Sequence, residues 1–403
     1  MKSFKKKSIC FTLLLTIVWC NTICSTFAKN KTTSNTATDA AIEISAPSAI
    51  LMEATTGTIC YAKDAEKKLP MASVTKVMTM LLIFDAVDNK KLSLDQQITI
   101  SDHAASMGGS QVFLEPGEIQ TVDTLIKCIS VASANDAAVA MAEAVAGTEE
   151  QFVSLMNQRA KDLHMKHTNF VNCCGLDDPN HFSCAKDLAL VSRELITNHP
   201  EIHNYCKIWQ EDITHTTKKG STPFTLTNTN KLIKQYPYAT GLKTGSTSIA
   251  KFCLSATAEK DGLSFIAVVM AADTPKDRFK DATKLLEYGF ANTSLYRDNI
   301  ADDTRTIPVI KGTSKHITVK PQSNFNFLAI KGENIADIKK KDVLPKQIKA
   351  PIKKGTVAGH VDYFIGDNKI GSVPIIATQS VKKATFSYYV QSLFSQLSLS
   401  DKK

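Results

Sequence analysis

The apolar positions of this 403-residue chain change period along its length, and the changes divide it into elements. Ala49 to Glu53 and Thr58 to Ala62, separated by Thr55-Thr56-Gly57, read as a β-hairpin. After Pro70, Val74, Val77, Met78, Leu81 and Leu82 recur at helical spacing, so a helix is predicted to start near Ser73 and bury one face. Val122 to Val145 is a second strongly apolar helical stretch, interrupted by the polar cluster Ser133-Ala134-Asn135-Asp136. Such a break within a buried region calls for an explanation. Helical patterns follow over about 149–163 and 185–198. Lys251 to Ala258 and Leu263 to Ala271 are strand-like runs joined by Asp261-Gly262, a strong hairpin signal, and a helix is predicted from Pro275 to Phe290. Strands, a long helical insertion, then strands and a closing helix imply an α+β domain: an antiparallel sheet flanked by helices plus a helical lobe.

Beyond Ala301 the pattern becomes short alternating runs, such as His316 to Lys320 and Asn326 to Ile330, broken by Pro, Gly and Lys clusters. This predicts a small all-β domain over 301–381 after a principal domain over 47–300. In the last segment, 382–403, Phe386, Tyr389, Val390, Leu393, Phe394 and Leu397 share one helical face. The segment is terminal, aromatic on its apolar side and flanked by Lys382, Lys383, Lys402 and Lys403, which favours an amphipathic helix lying on a membrane surface. A packed or dimerising helix is the alternative.

The amino terminus has the opposite organisation. Lys2, Lys5, Lys6 and Lys7 precede an apolar run from Ile9 to Val18, and Thr26-Phe27-Ala28 offers a small-residue cut before Lys29. Residues 1–28 therefore read as a cleavable signal peptide, with an apolar run too short to span a bilayer. Residues 29–46, rich in Thr, Ala, Ser and Asn, read as a flexible leader, with order beginning near Pro47. The expected location is extracytoplasmic, attached peripherally to the outer face of the cytoplasmic membrane.

Charge adds a contrast between regions. Residues 29–304 hold 27 Lys+Arg against 33 Asp+Glu, net −6, whereas residues 305–403 hold 17 against 6, net +11. On an exported chain such a basic region reads as a solvated surface or one facing anionic lipid or wall polymer, not as a nucleic-acid site. Seven cysteines lie beyond the signal, an odd number whose spacings match neither a compact disulfide framework nor a zinc site. Buried or semi-buried thiols are expected. His164/His167 and His199/His203 likewise lack a metal-ligand pattern, so no metal and no organic cofactor is expected.

Ser73-Val74-Thr75-Lys76 places a hydroxyl and an amine one helical turn apart at a helix start. A lysine kept neutral by burial or adjacent positive charge can take the serine proton, and the helix amino end favours developing negative charge. Alone the signal carries little, because the chain contains six Ser-x-x-Lys matches and Ser73 could be an ordinary helix cap. Two elements unique in the chain change that: Ser133-Ala134-Asn135, 60 residues beyond Ser73, and Lys243-Thr244-Gly245, a further 110 residues on. Physical need then assigns roles. Ser73 attacks a carbonyl and Lys76 accepts its proton; Ser133 relays a proton to the leaving amine; Asn135 holds the substrate amide or orients Lys76. Lys243 and Thr244 face a substrate carboxylate, and Gly245 lets a substrate backbone lie close to its strand. The backbone N–H groups of Ser73 and Ser246 would form the oxyanion hole.

With these three motifs in this order, the sequence closely resembles the low-molecular-mass penicillin-binding proteins that are serine-type D-Ala-D-Ala carboxypeptidases. Further segments carry the resemblance: Gly109 to Glu118, Ala134-Asn135-Asp136-Ala137, Gly241 to Gly245, Lys284 to Phe290, and in the last domain Ala350 to Gly355 and Gly371-Ser372-Val373-Pro374. The resemblance implies a β-lactamase/transpeptidase-like catalytic fold, removal of terminal D-alanine from peptidoglycan stem peptides ending in D-Ala-D-Ala through an acyl-Ser73 intermediate, β-lactams as covalent inhibitors, and membrane attachment by a C-terminal amphipathic helix. Ala134, where relatives often have Gly, and Ser246, where some have His, are departures that spare the chemically active side chains. A class A β-lactamase would need a Glu-x-x-Leu-Asn loop between Ser133 and Lys243, which the chain lacks. A β-lactam receptor or non-catalytic wall-binding scaffold would keep the fold without needing to cleave D-alanine, and is the rival from another class.

Overall fold

A computed structural model describes residues 42–400 except Lys219, with side chains described as far as Phe394. The expected signal peptide and most of the expected leader lie outside the described residues. Within them the packed chain begins before Pro47: Ile44 and Ala46 are buried, and Asp281 accepts hydrogen bonds from Ser45 Oγ and Ala46 N, each at 2.8 Å.

The predicted hairpin forms from β1 (Ser48–Glu53) and β2 (Ile59–Lys63). A single 3-10 turn, Ala72–Thr75, leads into α1 (Lys76–Asp88). The lobe that follows holds a short ribbon of β3 (Gln97–Thr99) and β4 (Ile119–Thr121), with α2 (Asp102–Ala105) between them. The helices α3 (Val122–Val131), α4 (Asn135–Ala146), α5 (Glu149–Asp162), α6 (Ala185–Asn198) and α7 (Ile202–Cys206) come next, then a hairpin of β5 (Gln210–Thr217) and β6 (Gly220–Thr227). After α8 (Leu232–Gln235), the chain returns to the main sheet as β7 (Ala239–Thr247), β8 (Lys251–Lys260) and β9 (Leu263–Ala272), and closes with α9 (Pro275–Asn292).

The main sheet is antiparallel in the order β2-β1-β9-β8-β7, so the first two strands flank the last three. Its central strand, β9, is apolar along nearly its whole length because both faces are covered. Ile266, Val268 and Met270 join the core with α1, α4 and α6, whereas Phe265, Ala267 and Val269 pack with Leu285 and Leu286 of α9. The alternation is the two-residue period of a strand, and each such Ile, Val or Phe contributes about 1.5–3 kcal/mol by leaving water. The sheet thereby becomes a rigid floor between two helical layers, with β7 at one edge.

Two local departures from the sequence reading have clear causes. The α-helix proper starts at Lys76, not Ser73, because Val74 N closes on Met71 O at 3.2 Å and Ala72 sits at φ +48, which tightens the entry into a 3-10 turn. Thr293–Asp298, placed in the principal domain by its position before residue 301, forms β10 and pairs with β13 (Phe325–Ile330). The reason is that α9 runs straight into a strand with no linker between them.

The remaining small domain is all β. Between β10 and β13 lie β11 (Arg305–Ile310) and β12 (His316–Pro321); β14 (Ile338–Val343), β15 (Ile348–Lys349), β16 (Val357–Ile365) and β17 (Asn368–Ala377) follow, giving a second sheet in the order β14-β16-β17-β12-β11-β15. The chain then forms α10 (Phe386–Ser400), on which Phe386, Tyr389, Leu393 and Phe394 are all more than half exposed. Among the described residues no helix is long and apolar enough to cross a membrane.

Candidate active site

Folding brings the three motifs to one place at the edge strand β7. The 3-10 turn decides the geometry of the first. Three residues per turn make side chains i and i+3 eclipse, so Lys76 stands directly over Ser73, with Nζ 3.1 Å from Ser73 Oγ. The turn is held from behind by a side-chain relay. Val171 N donates to His181 Nδ1 at 3.0 Å, which leaves the ring proton on Nε2; that nitrogen lies 2.7 Å from Thr75 Oγ1, and Thr75 Oγ1 donates to Ala72 O at 2.8 Å. Burial lowers the His181 pKa to about 4, so the ring is neutral and suited to that relay.

The polar break in the second apolar stretch is a helix–helix corner. α3 ends at Val131, Ser133 turns through the left-handed region at φ +63, and α4 begins at Asn135. A non-glycine residue held there is a strained position of the kind that clusters at functional sites. The corner points Asn135 at Lys76: Nζ donates to Asn135 Oδ1 at 2.6 Å and to Cys174 O at 2.8 Å. The other end of the amide is fixed because Nδ2 donates to Gly108 O at 2.6 Å. Both acceptors of Lys76 are obligate acceptors. In its neutral form the amine has two N–H groups and one lone pair, so with Asn135 and Cys174 accepting the two N–H groups the lone pair would face the Ser73 hydroxyl. Lys76 is fully buried, and burial lowers its pKa below the ordinary 10.5 against the weaker upward pull of Cys174, Cys173 and Asp136.

Lys243 reaches in from β7. Its Nζ donates to Ser133 Oγ at 2.8 Å and to Thr244 O at 3.2 Å, with no carboxylate among those partners. It is 1 % exposed, and burial pushes its pKa well down, with like-charge repulsion from nearby Lys76 acting in the same direction. A buried lysine whose hydrogen-bond partners are neutral is suited to receive an anion, whose charge would favour its protonated form. Thr244 Oγ1 lies 2.7 Å from Thr229 Oγ1.

Gly245 has a different neighbour from the one the sequence reading gave it. A Cβ at this position would lie 2.7 Å from Met71 O and 2.9 Å from Ser73 N, so the glycine admits the turn that carries Ser73 against the strand. Ser246 follows at the exposed end of the same strand, immediately beyond this contact. Gly175, at φ +90, serves the same turn from the other side, since a Cβ there would overlap Ala72 O.

Several contributors escaped the sequence reading. Cys174 and Gly108 act through backbone carbonyls, which leave no signal in side-chain pattern. Arg278, in the first turn of α9, donates to Gly245 O at 3.1 Å and Cys253 O at 3.4 Å from between the rings of Phe252 and Phe279, pinning the end of β7. Burial lowers its pKa to about 10. A basic residue among aromatic ones at a helix start was the available clue.

Residues 32–274 match the pattern of the D-alanyl-D-alanine carboxypeptidase family, and residues 290–383 match the C-terminal domain of penicillin-binding protein 5. The chain belongs to the D-alanyl-D-alanine carboxypeptidase family. The D-alanyl-D-alanine carboxypeptidase DacF of Bacillus subtilis is 40 % identical over 385 residues, covering 94 % of this chain and 96 % of the relative. DacD of Escherichia coli is 34 % identical over 367 residues, covering 88 % and 90 %. Among solved structures, penicillin-binding protein 5 of Haemophilus influenzae superposes with a TM-score of 0.73 at 29 % identity, covering 85 % of this chain and 98 % of its own. Both the expected catalytic fold and the β-rich final domain are therefore shared with penicillin-binding relatives. As a member of the family this chain is a serine-type peptidase, a hydrolase of the peptidoglycan-directed class.

Proposed function

We propose that this family member removes the terminal D-alanine from peptide stems ending in D-Ala-D-Ala through an acyl-enzyme at Ser73. The observation that carries the reading is Lys76: its Nζ is 3.1 Å from Ser73 Oγ, while Asn135 Oδ1 and Cys174 O accept hydrogen bonds from it. The substrate carboxylate docks at Lys243 and Thr244. Ser73 Oγ attacks the penultimate carbonyl as Lys76 takes its proton, and the N–H groups of Ser73 and Ser246 receive the oxyanion. Ser133, hydrogen-bonded to Lys243, passes a proton to the departing amine. Water then hydrolyses the ester, and the cycle closes without any metal or organic cofactor supplying a step. A β-lactam presents a strained amide and a carboxylate in the same arrangement, so it acylates Ser73 and blocks the site.

The direct test is D-alanine release from diacetyl-Lys-D-Ala-D-Ala by the purified mature chain, beside mass-spectrometric mapping of a penicillin adduct. Release with the adduct on Ser73 supports the reading. An adduct without release turns the protein into a β-lactam receptor or scaffold, and a folded chain showing neither is no serine peptidase. Gly245→Ala probes the packing of the nucleophile: pushing the Ser73 turn off β7 is expected to slow penicillin acylation about tenfold, since small misplacements of a reacting group cost rate steeply. An unchanged rate in a stopped-flow fluorescence assay would show that the turn relaxes without moving Ser73.

The place of action proposed is the outer face of the cytoplasmic membrane, with α10 lying in the interface. Support comes from the exposed side chains of Phe386, Tyr389 and Leu393 beside Lys382 and Lys383. Removing residues 385–403 is expected to abolish co-sedimentation with anionic lipid vesicles while D-alanine release persists; equal sedimentation of both forms would return α10 to the packed or dimerising alternative.

A further inference from the structure

Directly behind the Lys76 pocket lies a cluster that the chemistry above does not use. Cys173 and Cys174 are both buried, their sulfurs are 3.6 Å apart, and one carboxylate oxygen of Glu149 completes a trio whose ligand atoms all lie within 4.8 Å of one another. We propose that Glu149, Cys173 and Cys174 form a binding site for a thiophilic divalent cation of the zinc or cadmium class, and that its occupancy restrains Lys76.

The sulfur spacing is the first argument. Two thiolates bound at about 2.3 Å to one tetrahedral zinc stand about 3.75 Å apart, close to what these side chains already adopt, whereas a disulfide would require closure to about 2.05 Å. The carboxylate is the second. Two thiols that only filled apolar space would need no charged neighbour, yet Glu149 is tied to this loop by accepting the Cys173 N–H at 3.1 Å. Access is the third. His103, half exposed, sets Nε2 3.0 Å from Glu149 Oε2, so the carboxylate forms the solvent side of the cluster and gives a cation its way in. No cysteine or histidine spacing announced the site, because two of its ligands are adjacent residues and the third lies on a different element, α5.

The link to Lys76 rests on the acylation reading above. Cys174 O accepts from Lys76 Nζ at 2.8 Å, and Cys174 Sγ donates to Asn135 O at 3.5 Å. Cation capture is an exchange: two S–H bonds break, two metal–sulfur bonds form, and two protons leave to solvent with no change of oxidation state. Once deprotonated, Cys174 Sγ can no longer donate to Asn135. The two groups that aim Lys76 at Ser73 are then repositioned together, and acylation slows.

The experiment is a cadmium titration of the reduced full-length mature chain, read by the thiolate-to-cadmium ultraviolet charge-transfer band, with X-ray absorption to count sulfur ligands. Binding with two sulfurs is expected, together with at least about a 100-fold loss of affinity in Cys173→Ala, since losing even an outer partner of a metal site weakens it by about 10- to 100-fold. Cys184→Ala, in the separate His167–Cys184–Asp187 group, should leave the band unchanged. Fluorescent-penicillin acylation of the unaltered chain should slow about tenfold or more with cadmium, and that response should vanish in Cys173→Ala. A band that survives Cys173→Ala or disappears with Cys184→Ala overturns the site. Should Cys173→Ala fail to fold, the sulfur count in the unaltered chain decides, and one sulfur or none overturns it. Two-sulfur binding with unslowed acylation overturns the coupling to Lys76. Absence of acylation without cadmium would instead defeat the serine-peptidase reading, and the absorption data would still decide the cation site.

Discussion

Lys76→Met is expected to slow acylation of Ser73 by about 10³-fold or more, and Lys76→Met combined with Ser73→Ala should be no worse than Ser73→Ala alone. The first expectation follows from the contacts of Lys76, which make its amine the sole candidate for Ser73's proton acceptor within the hydrogen-bond network described. General-base assistance is worth about 10²–10⁴-fold, and methionine fills the same buried volume without a lone pair for the proton. The second follows because nucleophile and base act as a unit, whose losses do not add. Lys76→Arg is the sharper variant: it keeps a long basic side chain at the site, yet a guanidinium stays protonated and cannot serve as a base. The pH dependence has a definite sign. Burial disfavours the ammonium, so the neutral, active form of Lys76 grows as pH rises through a value below the ordinary 10.5, and acylation falls away on the acid side of it. Near-normal acylation by Lys76→Arg, or a rate independent of pH across that limb, would remove Lys76 from the role of base and leave it holding the turn.

How far the chain could be read beforehand depended on where each element keeps its apolar residues. β8, β9, α5, α6 and α9 were legible because each buries a continuous face, and Leu263–Ala272 does so on both sides. The hairpin of β5 and β6 was missed: its pairs, such as Thr214 with Pro223 and Thr216 with Ser221, are polar or exposed, so alternation gives no signal. In the site, the convergence of Ser73, Lys76, Ser133, Asn135, Lys243 and Thr244 was legible because it is made by side chains in motifs whose order is rare. Neighbours that act through backbone left nothing to read. Cys174 offers a carbonyl, Gly108 another, and Gly175 only the absence of a Cβ that would collide with Ala72. The purpose of Gly245 was assigned to a future substrate because sequence cannot reveal that a 3-10 turn 170 residues away packs on its face.

Lys243→Gln should lower kcat/KM for a substrate with a free terminal carboxylate by about 30-fold to several thousandfold, with a much smaller effect on the C-terminally amidated analogue. Removing one partner of a buried, hydrogen-bonded charge pair costs about 2–5 kcal/mol, which sets that range. The free protein holds Lys243 buried, with Ser133 Oγ and Thr244 O as its hydrogen-bond acceptors, and its pKa is pushed well down. An incoming carboxylate opposes that shift, restores the ammonium and gains a charge-assisted bond in a site already stripped of water. On the proposed reading Lys243 would discriminate by charge, while Ser133, held at 2.8 Å by the same amine, would be oriented towards the leaving group as the carboxylate arrives. The two substrates and two proteins form a thermodynamic cycle whose coupling isolates the lysine–carboxylate term from any general damage to the fold. Equal losses on the free and amidated peptides would place the carboxylate elsewhere and reduce Lys243 to a support for Ser133.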